Sequence, residues 1–533
     1  MKKTFEYPIV FSIILLGIVM GISQTIYYLV STPSGTVFSF AHNHLEDYYY
    51  YLHVMRQGFE GNLLATSWMT PEINPPKLVV TFFVLLGHLS RSVGISPPIM
   101  YTLARITGGL SLFILTYILI FLVYPNSPAR RITALVLVIF GTYFWEYTNN
   151  HVLVPSLVHD WTELDPIFRV SYIPHHLWSK VFMVLAFILL LQFSKKNNIW
   201  LNIVILCTVV FFMGFTSPVT LVTFVPVVII WFLREIGLSS KNKSGMAINP
   251  ILFLIVLSVA AFTVLYHRFI QLGVFPWNSY IAWEKVQYQI PLLSYIQSQG
   301  PNLIFFIPAI WWLLRRGSVG RLMVIWVGAG YFMLFIAGRI LPLSNIRFLE
   351  GYQFIPLGIG ATQGIWIMAK YISSGNRKME KFTISAIVFT LLVYYSIGLF
   401  ASWQEHLGYV RQNMNDKRVY IPVSLIRTFK KIEETTPKDS VVLAPYSIST
   451  MIPAMTGRRV VAGHPMMTYE AENKRKDMDL FFSFGSGGKI REMIAEYRIA
   501  YVLSDVEIPS DFTRQNGLVK IYQSNNYYFY KLL

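Results

Sequence analysis

Two adjacent carboxylates, Glu46 and Asp47, open the stretch "EDYYYYLHVMRQGFEGN", where four consecutive tyrosines, His53 and Arg56 follow. A carboxylate within hydrogen-bond reach of a hydroxyl can take its proton, and a like-charged neighbour raises one member of such a pair. The same two side chains also suit the N-terminal turn of a helix starting near Tyr48, where negative charge meets the positive end of the macrodipole. The two roles are compatible, because a helix end can hold a base in place. On that helix Tyr48 and Tyr51 share a face, whereas Tyr49 and Tyr50 point elsewhere. One pair is expected to face a cavity and the other to anchor at lipid headgroup level. The glycines Gly58 and Gly61 are expected to break the helix.

A second group lies in "HDWTELDPIFRVSYIPHHLW": Asp160, Glu163, Asp165, His175 and His176, preceded by His159. Carboxylate oxygens suit Mg²⁺ or Mn²⁺, and imidazole suits Mn²⁺ and heavier metals. The spacing matches no standard metal motif. Asp165-Pro166 also reads as a turn initiator, and the histidines as interfacial residues. Arg347, in "SNIRFLEG", and Arg339 are placed to grip phosphate oxygens with a guanidinium fork; snorkelling at a helix end is the competing use. Cys207 is the only cysteine, which excludes an intrachain disulfide and a cysteine zinc site. The glycines of "FFSFGSGGKIREM" lack the spacing of a phosphate-binding P-loop.

The elements that position these residues follow from composition. Only 13% of the 533 residues are charged and 54% are hydrophobic, against about 25% charged in soluble domains. Runs of roughly 20 apolar residues occur at 8–30, 97–123, 131–147, 177–193, 199–215, 218–234, 250–270, 301–314, 322–338, 352–370 and 382–401. The net charge of +17 concentrates in short clusters between these runs, and no nucleic-acid-binding signature accompanies it. Starting from Lys2/Lys3, every second connection is basic, which predicts a cytoplasmic N-terminus and an outer C-terminus. Residues 75–94 break that alternation if they cross, so they are expected to lie on the outer surface or re-enter.

The expectation is therefore a mainly α, polytopic membrane protein with about eleven transmembrane helices, N-in and C-out. Residues 1–401 would form the membrane domain, with the acidic motif on external loop 31–96. Residues 402–533 would form an extracytoplasmic α/β domain: "SVVLAP", "RRVVAG" and "IAYVLSD" read as strands, "SLIRTFKKIEE" and "KIREMIAEYR" as helices, and the last sixteen residues as a hairpin. The polar run "TGRRVVAGHPMMTYEAENKRK" reads as a surface loop.

The order around the acidic pair resembles the GT-C superfamily of membrane glycosyltransferases, which includes protein O-mannosyltransferases, aminoarabinose transferases and oligosaccharyltransferase catalytic subunits. The shared order is an acidic motif in the first external loop, an aromatic helix with Arg56, Pro75-Pro76, a surface helix, and a span with the early arginine Arg105. "LPLSNIRFLEGYQFIPLGIG" is similar to the family's arginine-bearing turn near the lipid phosphate, and "IPAMTGRRVVAGHP" resembles its C-terminal domains. Asn74 stands where some relatives carry lysine. The resemblance implies a sugar transferred from a polyprenyl-phosphate-linked donor to a glycan, lipid or protein acceptor on the outer face of a bacterial or archaeal plasma membrane. It places Asp47 at the catalytic aspartate, with Glu46 supporting it, and Arg347, then Arg339, at the donor phosphate. Tyr48, Tyr51, Asp160, Glu163, Asp165, His175 and His176 are the cavity or acceptor candidates. Some branches use a divalent metal, Mg²⁺ or Mn²⁺, and others do not. The competing readings are a transporter or flippase, a polymerase or ligase of a lipid-linked glycan, and an inactive scaffold. Transporters favour ionisable groups at mid-membrane and internal repeats, whereas the acids here gather in external loops.

Overall fold

The computed structural model describes residues 5–42, 44–147, 153–155, 165–193, 199–242, 250–271, 273, 275–280, 290–337, 340, 345–485 and 487–533. The chain divides into two compact units.

The first unit, Met1–Ser23, Ala104–Tyr266 and Glu284–Leu407, is helical. In the described residues of the whole chain, six helices are long and apolar enough to cross a membrane: Pro97–Val123, Pro174–Gln192, Pro218–Leu238, Pro250–Ile270, Ser318–Ala337 and Arg377–Gln412. The count is seven if α1 (Glu6–Gly21) and α2 (Ser23–Val30) form one broken span. Each of the eleven apolar windows contains helix, but several are shorter than the windows. The run 131–147 is the clearest departure, because its helix ends at Phe140. Arg169 explains the stop: its guanidinium donates to the carbonyls of Val138, Ile139 and Gly141 at 2.7, 2.9 and 2.7 Å. Asn302 donates to the Leu137 carbonyl as well. The Arg169 guanidinium thus satisfies carbonyls of the last turn that the helix end leaves without an intrahelical partner. Small residues set another crossing. A Cβ on Gly364, in helix Phe354–Ile372, would lie 1.6 Å from the Phe305 carbonyl oxygen, so only glycine permits that approach. The buried cation of Arg131 is matched by Glu6 at 2.5 and 2.6 Å.

The second unit comprises Gln24–Leu103, His267–Trp283 and Gly408–Leu533. The chain's C-terminal portion therefore groups with the first loop. Its five-stranded sheet has the order β6-β5-β7-β9-β8, where β5 is Val441–Leu443, β6 Arg459–Val460, β7 Ile499–Ser504, β8 Leu518–Ser524 and β9 Tyr527–Leu532. The first three strands are parallel, and β8–β9 is the terminal hairpin. Helices Val423–Thr435 and Gly487–Glu496 fall where the apolar spacing put them. A separate pairing joins β1 (Thr36–Phe38), in the first loop, antiparallel to β4 (Tyr420–Pro422). Strands β2 (Trp145–Tyr147) and β3 (Leu153–Pro155) form a small hairpin in the first unit.

Two helices of the second unit carry the acidic motif. Helix α3 is Leu45–Phe59 and helix α4 is Thr81–Val93. With 13 residues, α4 is about 20 Å long, too short to span a hydrocarbon core of about 30 Å. It buries Phe83, Val84 and Leu86 and exposes Leu85, Leu89 and Val93, an apolar stripe at i, i+4 and i+8 suited to an interface.

Candidate active site

Helix α3 starts at Leu45, so Glu46 and Asp47 occupy its first turn and Tyr48 comes after them. Gly58 does not break the helix. It sits inside α3 at the crossing with α4, where a Cβ would lie 2.1 Å from the Val84 carbonyl oxygen. Gly87 of α4 mirrors it, with a Cβ position 2.0 Å from the Met55 carbonyl oxygen. The chain turns instead at Gly61, whose φ is 101°.

Each carboxylate has its own cation or donor. Asp47 Oδ1 lies 3.0 Å from His464 Nε2, with the aspartate side chain 41% exposed and the imidazole only 5%. His464 Nδ1 accepts from the backbone N–H groups of Met466 and Met467 at 3.1 and 3.3 Å. A ring nitrogen that accepts carries no proton, so the proton is on Nε2 and is donated to Asp47. Glu46 Oε1 takes a hydrogen bond from Arg418 at 2.8 Å, and the same guanidinium grips both oxygens of Asp416, at 2.7 Å from Nη2 and 3.1 Å from Nε. Burial opposes the Arg418 charge, but Asp416 and Glu46 more than reverse it and hold its pKa above the usual arginine range.

Three of the four tyrosines are buried within this unit. Tyr48 is 1% exposed and donates to the Ser39 carbonyl at 2.5 Å. Tyr51, half-buried, stacks on Phe83 with centroids 4.1 Å apart. Tyr49 and Tyr50, expected as headgroup anchors, are buried instead. Tyr49 donates to the Arg418 carbonyl, and the Tyr50 ring packs 5.4 Å from His464. The reason is tertiary: the segment after the last long helix covers the side of α3 that sequence left open. Burial pushes the Tyr50 and Tyr51 hydroxyls well above 10, so both are neutral.

His464 is itself held by the first loop. The segment 460–469 runs along residues 67–70: Val460 N–H donates to the Trp68 carbonyl, Gly463 N–H to the Met69 carbonyl at 3.0 Å, and Ser67 Oγ to the Met467 carbonyl. Arg459, 8% exposed, donates to the carbonyls of Ser67 and Glu72 at 3.1 and 3.0 Å. Asn74 closes the same loop through reciprocal bonds with the Ser67 backbone, which accounts for asparagine before Pro75-Pro76. The run "TGRRVVAGHPM" is therefore largely buried and is not the surface loop expected. Two arginines and a histidine inside an apolar strand-like run were the available signal, since buried charges require partners. His464, Arg418 and Arg459 were the residues that sequence reasoning missed. Arg56 lies toward the other end of α3, paired with Glu60 at 2.9 Å and with Glu433. It lines a cavity of about 790 Å³ with Phe59, Pro97 and Lys438; it stands nine positions from Asp47, about 13 Å along the helix axis.

The remaining sequence candidates belong to the first unit. Asp165 is fully buried. Its Oδ1 accepts the Ile167 N–H at 2.8 Å, as in a turn initiator, and its Oδ2 accepts from Ser402 at 2.5 Å with His406 Nε2 at 3.4 Å. His175 and His176 are half-buried in the first turn of helix Pro174–Phe193, with rings 4.0 Å apart. His159, Asp160, Glu163 and Arg339 lie outside the described residues. Arg347 has its backbone in the 3-10 helix Asn345–Gly351, and its side chain is outside the described set.

No group of three or more His, Cys, Asp or Glu residues converges as a metal site among the described residues. The donor set around Asp47 does not fit one either, because His464 Nε2 carries a proton where a metal requires a lone pair.

No family model matches the chain, and no curated protein matches it in sequence. Solved structures do match in shape. The oligosaccharyltransferase of Archaeoglobus fulgidus, tethered to an acceptor peptide containing the NVT sequon, aligns with a TM-score of 0.55 at 12% identity. The alignment covers 95% of this chain and 69% of that one. The arabinofuranosyltransferase AftD from Mycobacteria gives a TM-score of 0.52 at 13% identity, over 98% of this chain. This chain spans only 40% of the AftD length. At these identities the likeness is one of fold, and the resemblance seen around Asp47 agrees with it: the chain has the fold of the GT-C glycosyltransferases.

Proposed function

We propose that this protein is an integral-membrane glycosyltransferase that moves a sugar from a polyprenyl-phosphate-linked donor to a hydroxyl- or amide-bearing acceptor on the extracytoplasmic face. The observation that carries the reading is Asp47: a carboxylate on the first turn of a tightly packed helix, 41% exposed and hydrogen-bonded to His464, in a GT-C fold. Asp47 takes the acceptor proton as the acceptor atom attacks the anomeric carbon. The bond between that carbon and the phosphate oxygen breaks, and the electron pair leaves with the lipid phosphate. One displacement of this kind inverts the anomeric centre. Glu46, tied to Arg418, fixes the start of α3 and adds negative charge beside the base. Arg347 is assigned to the departing phosphate, with Arg339 as the second choice, because an arginine fork matches phosphate oxygens. Asp160, Glu163, His175 and His176 are assigned to the acceptor side.

The test is a transfer assay in native membranes with labelled polyprenyl-phosphate sugars, comparing wild type with Asp47→Asn. Loss of the base lowers turnover by about 10²–10⁴-fold, with the Asp47→Asn protein still folded. Equal turnover removes Asp47 from the chemistry and with it this reading.

A further inference from the structure

We propose that His464 is the positioning residue for Asp47: a neutral imidazole whose Nε2–H clamps Oδ1 and fixes the plane of the carboxylate. The inference rests on the role given to Asp47 above and adds a second residue, 417 positions away in sequence. Three features of the geometry carry it. The ring is 5% exposed, so its contacts are made inside the protein. Nδ1 is occupied by the N–H groups of Met466 and Met467, which sets the tautomer and aims Nε2–H at the aspartate. The ring's own backbone is strapped down, because His464 N–H donates to Thr468 Oγ1 at 3.2 Å and that hydroxyl donates to the Met69 carbonyl at 2.6 Å. A donor locked at both ends orients its acceptor, as neighbours orient a catalytic or ligating side chain elsewhere. The Tyr50 ring, from the turn of α3 that follows Asp47, packs beside the imidazole with centroids 5.4 Å apart and planes tilted by 44°. The base is thus oriented by a residue from the C-terminal part of the chain.

The two ring nitrogens can be tested separately. In His464→Asn the amide oxygen stands near Nδ1 and keeps the turn acceptor, but no donor reaches Asp47. In His464→Gln the amide N–H₂ stands near Nε2 and keeps the donor, while the turn acceptor is lost. Positioning predicts that His464→Asn melts close to wild type yet loses about 10–100-fold in kcat at unchanged KM, the scale of a misplacement near 1 Å. It predicts that His464→Gln melts lower but keeps kcat within about fivefold of wild type, since the donor remains. If Asn retains activity and Gln loses it, the ring serves only the turn, and the proposal is overturned. Asp47→Asn is measured alongside. A dead Asp47→Asn with a fully active His464→Asn overturns positioning alone, whereas an active Asp47→Asn overturns the catalytic reading beneath it.

Discussion

Replacing Gly87 by alanine tests whether the α3–α4 crossing is what holds Asp47 in place. The added Cβ would sit 2.0 Å from the Met55 carbonyl oxygen and 2.8 Å from the Phe59 nitrogen, against 3.4–4 Å for ordinary contact. Both opposing atoms are backbone, so no side chain can swing away and the helices must separate by about 1.4 Å, the difference between those distances. Overpacking of this kind costs about 1–3 kcal/mol, and the lack of a yielding neighbour puts Gly87 at the upper end. Alanine returns about 1 kcal/mol through helix propensity, leaving a net loss of about 2 kcal/mol. For a unit of this size that is a fall of roughly 4–8 °C in Tm. Because α3 carries the base, a shift of 1 Å also lowers transfer by on the order of 10²-fold. Thermal unfolding in detergent, followed by intrinsic fluorescence, reads the first number, and the membrane transfer assay reads the second. Gly328→Ala is the control, since nothing lies within 4 Å of its Cβ position. A Gly87→Ala protein that melts at or above wild type refutes the argument from close approach.

Arg418→Met leaves Glu46 and Asp416 without their shared guanidinium; given their partial exposure the loss is about 1–2 kcal/mol. Arg418→Lys should recover only part of it in the same melt, because a single ammonium cannot reproduce the fork. Arg459→Met removes the donor to the Ser67 and Glu72 carbonyls, so amide hydrogen exchange in residues 67–74 should rise at least tenfold; unchanged protection sinks that assignment. Acid stability has a signed expectation from His53, whose pKa burial pushes down from 6.5 to about 4 against the Thr66 and Tyr50 carbonyls. The unfolded state then binds the extra proton first. Stability is fully present above about pH 6.5 and is lost as the pH falls through about 4, by about 3 kcal/mol in total. Melting curves across that window should show the slope in wild type and a flatter one in His53→Asn.

Membrane character, the helical runs, the α/β elements after residue 402 and the acidic pair on an aromatic helix were all legible in the sequence, because each depends on local composition and spacing. An apolar run of spanning length marks a helix whatever surrounds it, and a short run rich in β-branched residues marks a buried strand. The order of motifs around Asp47 carried the fold resemblance for the same reason. What spacing cannot specify is which distant segments meet. Pairing of β1 with β4, burial of Tyr49 and Tyr50, and the contact of His464 with Asp47 all join residues hundreds of positions apart. The early end of helix 128–140 was hidden likewise, since its carbonyls are claimed by Arg169 from a later segment. Gly58 shows the limit within a single residue. In sequence glycine signals a break through its backbone freedom, and only the packed structure shows that the missing Cβ is needed for α4 to approach. The sequence alone determined that a carboxylate would stand at the start of α3. Its orientation was decided by the tertiary structure, because a hydrogen bond needs its donor and acceptor near 3 Å, and only folding brings residues 47 and 464 that close.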